Sequence, residues 1–172
     1  MNKVRIAAAI GGAVLLAVQP VPYGRDHRNS PVRQEPQWSG LETRALAKRA
    51  CFDCHSNETR WPWYSNVAPI SWVIQRDVNS GRSELNFSEW DRAQKEAQEA
   101  AKTVVNGEMP PRSYVALHPE SRLSSTEQAQ LIQGLQAIVG ALSGEFAGKR
   151  TDEDDRYASR AANRKMTFRN SR

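Results

Sequence analysis

With two cysteines in 172 residues, the chain has no second pair to complete a four-thiolate zinc site. No stretch alternates apolar and polar residues in the manner of a strand, and no internal repeat marks a solenoid. Apolar residues are 39% of the whole, a low share, so the core must be thin and a large buried cofactor would supplement it. Long hydrophobic runs are missing as well. The longest uncharged, mostly apolar run, Ile6 to Val18, has thirteen residues and as a helix reaches about 20 Å, against roughly 30 Å of hydrocarbon in a bilayer. The net charge is +5, but eight of the Lys and Arg residues follow Gly144 together with five acids. The excess therefore belongs largely to the tail, and no nucleic-acid partner is expected.

The chain divides by composition. Lys3 and Arg5 precede the apolar run, the order of an export signal. Crossing a membrane would need the run to continue towards Tyr23 through Pro20 and Pro22, and "AVQ" before Pro20 is not a clean cleavage site. Residues 1–22 are thus read as either a cleaved signal or a retained membrane anchor, and both deliver the rest to the periplasm or the extracytoplasmic face of the inner membrane. Residues 23–38, polar and carrying Pro31 and Pro36, read as an extended linker with His27 as a solvated linker histidine. Residues 39–144 form the domain. Residues 145–172 are polar, with mixed charge blocks and no sustained period, and are expected to be disordered.

Punctuation places four helices, which predicts an all-α domain. Ser39 and Glu42 have capping-box spacing and open a helix carrying Leu46, Ala47, Ala50, Cys51 and Cys54 on its apolar or small positions. A second runs from about Ala68 to Gly81 with Pro69 in its first turn. A third opens at Ser88, with Asp91 in the box position, and lines up Trp90, Ala93, Ala97, Ala101 and Val104 before Gly107. The fourth opens at Ser124 with Glu127 in the box, and Leu131, Ile132, Leu135, Ile138, Val139 and Leu142 form its apolar face. Gly134 within it either admits a neighbouring backbone or is merely tolerated, at about 1 kcal/mol relative to alanine.

The densest chemistry lies in "RACFDCHSNETRWPWYSN", residues 49–66. On a helix, Cys51, Cys54 and His55 leave from one face. That geometry suits c-type haem attachment, with two thiols bonded to the porphyrin and the adjacent imidazole on the iron. A structural disulfide would close too small a loop to gain much entropy and would leave His55 idle. A thioredoxin-like pair needs a preceding strand, where this chain reads as helix. A zinc site would have to recruit His27 or His118. A second axial ligand is offered by "NGEMPPRSY", where Met109 stands between a helix-ending glycine and two prolines. His118 is its rival.

These residues carry a resemblance. "CFDCH", then "GEMPPR", then a final amphipathic helix resemble a small class I-like c-type cytochrome. More narrowly, "RACFDCHSNETRWPWYSNVAPISWVIQRDVNSGRSELNFSEWD" with "GEMPPRSY" resembles the bacterial haem-binding domain family over residues 35–143. The resemblance implies a helical fold around one covalent haem, attached through Cys51, Cys54 and His55, and it implies no substrate. Trp61, Trp63, Tyr64 and Trp72 are then candidates to wall the haem, and Arg60 and Arg112 to pair with its propionates.

Iron ligated by His55 and Met109 has no open position, which makes a one-electron carrier the simplest function, working with redox partner proteins that the sequence does not identify. The competing classes are a haem-based sensor or peroxidase-like enzyme with an open distal site, and a binding module in which haem is structural.

Overall fold

The computed structural model describes residues 2–141. The described residues are helical with no strand, in agreement with the all-α expectation. Leu142, Met166 and the tail expected to be disordered lie outside them.

Helix α1, Lys3–Ala17, is apolar on all sides and buries no residue. Among the described residues no helix is long and apolar enough to cross a membrane. After it the chain is extended, as expected of residues 23–38, but it is not a free linker. The Gln19 side chain both donates to the Ala68 carbonyl (2.8 Å) and accepts from the Ala68 amide (3.2 Å). Gly24 takes a positive φ of 79° against the Ser71 carbonyl, where a Cβ would collide. His27, expected to be solvated, stacks on Trp61 at 4.6 Å and hydrogen bonds the Ser65 carbonyl at 3.1 Å. Arg33 donates its amide to Ser88 and Trp90 donates to Gln34. The polar composition that resembles a linker is here used to pair one extended strip of backbone along the domain.

Helix α2, Leu41–Ala50, starts one residue after Gly40 without the expected capping box, because the Ser39 hydroxyl bonds the Thr43 hydroxyl instead of a backbone amide. It buries Thr43, Leu46, Ala47 and Ala50. The chain then breaks at Cys51 (φ −126°) and re-forms as a single turn, α3, Phe52–His55. Helix α4, Ile70–Glu84, begins after Pro69 and continues three residues past Gly81, where the sequence suggested a stop. Gly81 is inside the helix because α3 crosses there. A Cβ on it would overlap the Cys54 carbonyl and press on the Cys54 side chain.

The third expected helix is shorter than its apolar spacing suggests. Only α5, Ala100–Val105, and a 3₁₀ turn at Ala97–Glu99 form. Upstream, side chains capture the backbone: the Gln94 carbonyl oxygen accepts from the Asn86 amide, Asn86 accepts from Ser88 N–H, and the Ser88 hydroxyl accepts from Asn57 N–H. Such local bonds compete with helix formation. Trp90, Ala97 and Val104 are nevertheless buried, and Ala93 is exposed. Helix α6, Arg112–Leu117, buries no residue. Helix α7 covers residues 125–141. Its capping box forms, with Ser124 N–H donating to Glu127 (2.8 Å) and Glu127 N–H to the Ser124 hydroxyl (3.3 Å). The same glutamate pairs with Arg49 of α2 at 2.6 Å. Gly134 admits the Thr43 side chain of α2, so its small size serves the contact between these two helices.

The core joins Leu46, Ala47 and Phe52 to Leu85, Phe87 and Trp90 and to Val104, Leu131, Leu135 and Ile138. Phe87 is central, with ring centroids 5.2 Å from Trp38, 5.7 Å from Phe52 and 6.0 Å from Trp90.

The packing at Gly81 has a measurable consequence. Gly81→Ala should destabilise the chain by about 1–3 kcal/mol through overpacking. Gly140→Ala, on α7 with nothing near its Cβ among the described residues, should instead stabilise by about 0.5–1 kcal/mol. Urea denaturation reads both, and an unchanged midpoint for Gly81→Ala would contradict the approach of α3 to α4.

Candidate functional site

Cys51, Cys54 and His55 are brought onto one wall by a single helical turn, closed by bonds from the Cys54 and His55 amides to the Cys51 carbonyl (3.2 and 2.9 Å). They face a cavity of about 580 Å³, inside the range of roughly 300–1,000 Å³ usual for cofactor sites. Its apolar lining includes Ile70, Val73, Ile74 and Val78 from α4, Leu85 and Phe87 after it, and Val104 and Leu135 from α5 and α7.

The imidazole of His55 is oriented from behind. Its Nδ1 lies 3.1 Å from both the Gly81 and the Leu85 carbonyl oxygens, so Nδ1 carries the proton and Nε2 keeps a free lone pair. Burial lowers the pKa of this histidine, against the two carbonyls that raise it, and the ring is neutral at pH 7. A neutral imidazole with Nδ1–H held by carbonyls is prepared to ligate a metal through Nε2. Both cysteines are free thiols. Burial, with the neighbouring Cys54 second, raises Cys51 to about 12. Burial, followed by Asp77 and Asp53, raises Cys54 to about 11. Both are protonated sulfurs in an apolar wall.

Met109 lines the same cavity from the segment between α5 and α6, with its amide bonded to the Thr103 carbonyl at 3.2 Å. His118 also lines it, but both ring nitrogens are engaged: Nδ1 with the Tyr114 carbonyl and Nε2 with the Tyr64 hydroxyl, each at 3.1 Å. To bind iron it would have to give up the Tyr64 bond.

Of the aromatic candidates, Tyr64 alone reaches the wall. Trp61 is taken by the stack with His27, Trp63 is 79% exposed, and Trp72 is half-buried away from the cavity. The rings cluster in sequence without sharing a face, because they sit on different elements: Trp61 before the 3₁₀ turn, Trp63 and Tyr64 in that turn at Trp63–Asn66, and Trp72 on α4. Arg60 lines the cavity but is committed to Asp53, and Arg112 is exposed outside it.

Three contributors were not identified from the sequence. Gly81 is one. Asp53, between the cysteines and 7% exposed, accepts from the Arg60 amide and guanidinium and from the Tyr114 hydroxyl. Tyr114 itself, whose pKa is raised by burial and then by its bond to Asp53, lines the cavity as a protonated donor. The position of Asp53 inside the cysteine motif was the available signal; nothing in the local sequence marks Tyr114.

Residues 13–137, most of the chain, match the family described as a haem-binding domain. The chain belongs to that family. Comparison with curated proteins and with solved structures found no match. The family match starts inside α1, in keeping with a haem-binding domain that includes the extended strip after it. The function shown at this level is haem binding.

The residues fit the cofactor. The cavity is apolar, one neutral imidazole nitrogen is left free in its wall, and four apolar side chains of the wall, Ile70, Val73, Met109 and Leu117, are exposed at 47, 56, 37 and 64%. An apolar rim of that kind is what a flat hydrophobic ligand covers. A charge at the rim should therefore separate stability from binding. Val73→Glu is expected to change the stability of the haem-free chain by less than about 0.5 kcal/mol. It should weaken haem uptake by about tenfold or more, since the carboxylate would be covered by the ligand. Haem titration followed by tryptophan fluorescence checks this, and wild-type uptake by Val73→Glu would count against the assigned rim.

Proposed function

We propose that this haem-binding domain is a one-electron carrier on the extracytoplasmic side of the membrane, with haem c held covalently by Cys51 and Cys54 and iron ligated by His55 and Met109. The observation that carries the reading is the convergence of two thiols, a pre-oriented neutral imidazole and a thioether on one apolar cavity. When bound, haem supplies one-electron redox chemistry at its iron. The chain's residues do the rest. Two covalent links would prevent cofactor loss in an oxidising compartment without a cellular haem pool at hand. The Gly81 and Leu85 carbonyls hold the His55 ring and strengthen Nε2 as a donor. Met109 would hold the iron through its thioether, a ligand that would favour the ferrous state and raise the potential relative to two imidazoles. Leu85, Phe87, Val104 and Leu135 keep water from the cavity floor, which limits reorganisation during electron exchange.

Export is supported by Lys3 and Arg5 ahead of the apolar α1, a helix that has none of its residues buried among the described residues. Partners are redox proteins able to approach the apolar rim.

The rival function, catalysis or sensing at an open iron position, differs in one property. With both positions filled, ferrous wild type should bind carbon monoxide slowly and weakly, and the ferric form should show the long-wavelength Met-to-iron charge-transfer band. Met109→Ala should abolish the band and bind carbon monoxide promptly. Prompt, tight binding by wild type would contradict the carrier and favour the sensor or enzyme.

A further inference from the structure

The segment that delivers Met109 has little apolar packing to hold it. Helix α6 has six residues, buries none of them and is too short to persist alone. At its leading end the amides of Glu108 and Met109 bond the Thr103 carbonyl (2.9 and 3.2 Å). At its trailing end the attachments are side chains. The Tyr114 hydroxyl donates to Asp53 Oδ2 at 2.6 Å, and the Tyr114 ring stacks on His118 at 4.2 Å. His118 in turn accepts from Tyr64 at 3.1 Å.

Asp53 is also held by partners other than Tyr114. Its Oδ1 accepts from the Arg60 amide at 3.0 Å and from Arg60 Nε at 3.3 Å, and its Oδ2 from Nη2 at 3.2 Å. Arg60 also pairs with Glu120 beyond α6, at 3.7 Å. The carboxylate belongs to the turn that carries Cys51, Cys54 and His55. The Tyr114 hydroxyl therefore bridges the turn proposed to hold the cofactor and the segment proposed to supply the second ligand.

We propose that Tyr114 and Asp53 are positioning residues forming a latch that keeps Met109 on the iron, with Tyr64 and His118 as its second fastening. This rests on the assignment of Met109 as axial ligand. A hydrogen bond to a charged acceptor is among the stronger ones in proteins, and losing it releases α6 from the attachment turn without altering a ligand. The affinity of the distal side for an external ligand then rises, because that ligand competes with a thioether no longer held in place.

The test uses the full chain with haem attached, in the ferric state, with imidazole as the external probe. Tyr114→Phe is expected to bind imidazole about tenfold or more tighter than wild type and to lose intensity in the Met-to-iron charge-transfer band, with covalent haem content unchanged. In a Met109→Ala background, adding Tyr114→Phe should produce no further tightening, which a general loosening of the fold would. Tyr64→Phe, which frees only His118, should shift affinity in the same direction by less, and it provides the readout if Tyr114→Phe does not accumulate. Wild-type band and imidazole affinity in Tyr114→Phe and Tyr64→Phe, while Met109→Ala loses the band, would overturn the latch and leave the ligand assignment standing. A band that survives Met109→Ala would overturn the ligand assignment and the latch with it.

Discussion

The contact between α3 and α4 at Gly81 organises this molecule. With no side chain there, the Cys54 backbone lies directly on the helix, and His55, one residue on, sets its Nδ1 between the Gly81 and Leu85 carbonyls. A larger residue would push the turn away and lose both carbonyls at once. The two thiols, the free Nε2 and the first wall of the cavity all depend on that approach. Phe87 N–H donating to the His55 carbonyl at 2.8 Å, and Arg82 Nε donating to the Ser56 carbonyl at 2.8 Å, fasten the same turn from either side.

The rest of the fold supplies an opposite wall with unequal means. On one side, α2, α5 and α7 contribute buried Leu46, Val104, Leu131 and Leu135 around the Phe87 ring stack. On the other, α6 and the Met109 segment are tied by hydrogen bonds to Asp53 and Tyr64. One wall is therefore set by apolar burial and the other by a few polar contacts. A domain with a thin core gains from such a division, since a cofactor seated between the walls buries the rim that neither covers.

What the sequence revealed and what it concealed follow from the range of the forces involved. Features decided within four residues were legible: the Ser124–Glu127 box, the shared face of Cys51, Cys54 and His55, and the end of α5 at Gly107, which takes a positive φ of 70°. Met109, bracketed by glycine and proline, was expected from the sequence as a second ligand, and it lines the cavity. Features decided by distant partners were not. Ser39 has the spacing of a cap but finds Thr43, and Ser88 has it too but is drawn to Asn57 and Asn86. The tryptophans near the motif suggested a wall, yet the aromatic packing at the core comes from Trp38, Phe52, Phe87 and Trp90. His27 and residues 23–38 looked solvated because their partners, Trp61, Ser65 and Ser88, lie 34 to 55 positions away. Tyr114 escaped notice for the same reason, its partner Asp53 being 61 residues away in sequence.

The central claim is that Cys51 and Cys54 hold the cofactor by covalent bonds. Its most direct test is the intact mass of the chain, produced with haem-attachment machinery and measured after full denaturation. The account predicts a denatured chain heavier by one haem, with that increment absent from a Cys51→Ala/Cys54→Ala double variant. A wild-type chain that releases its haem on denaturation and weighs only its polypeptide would contradict it.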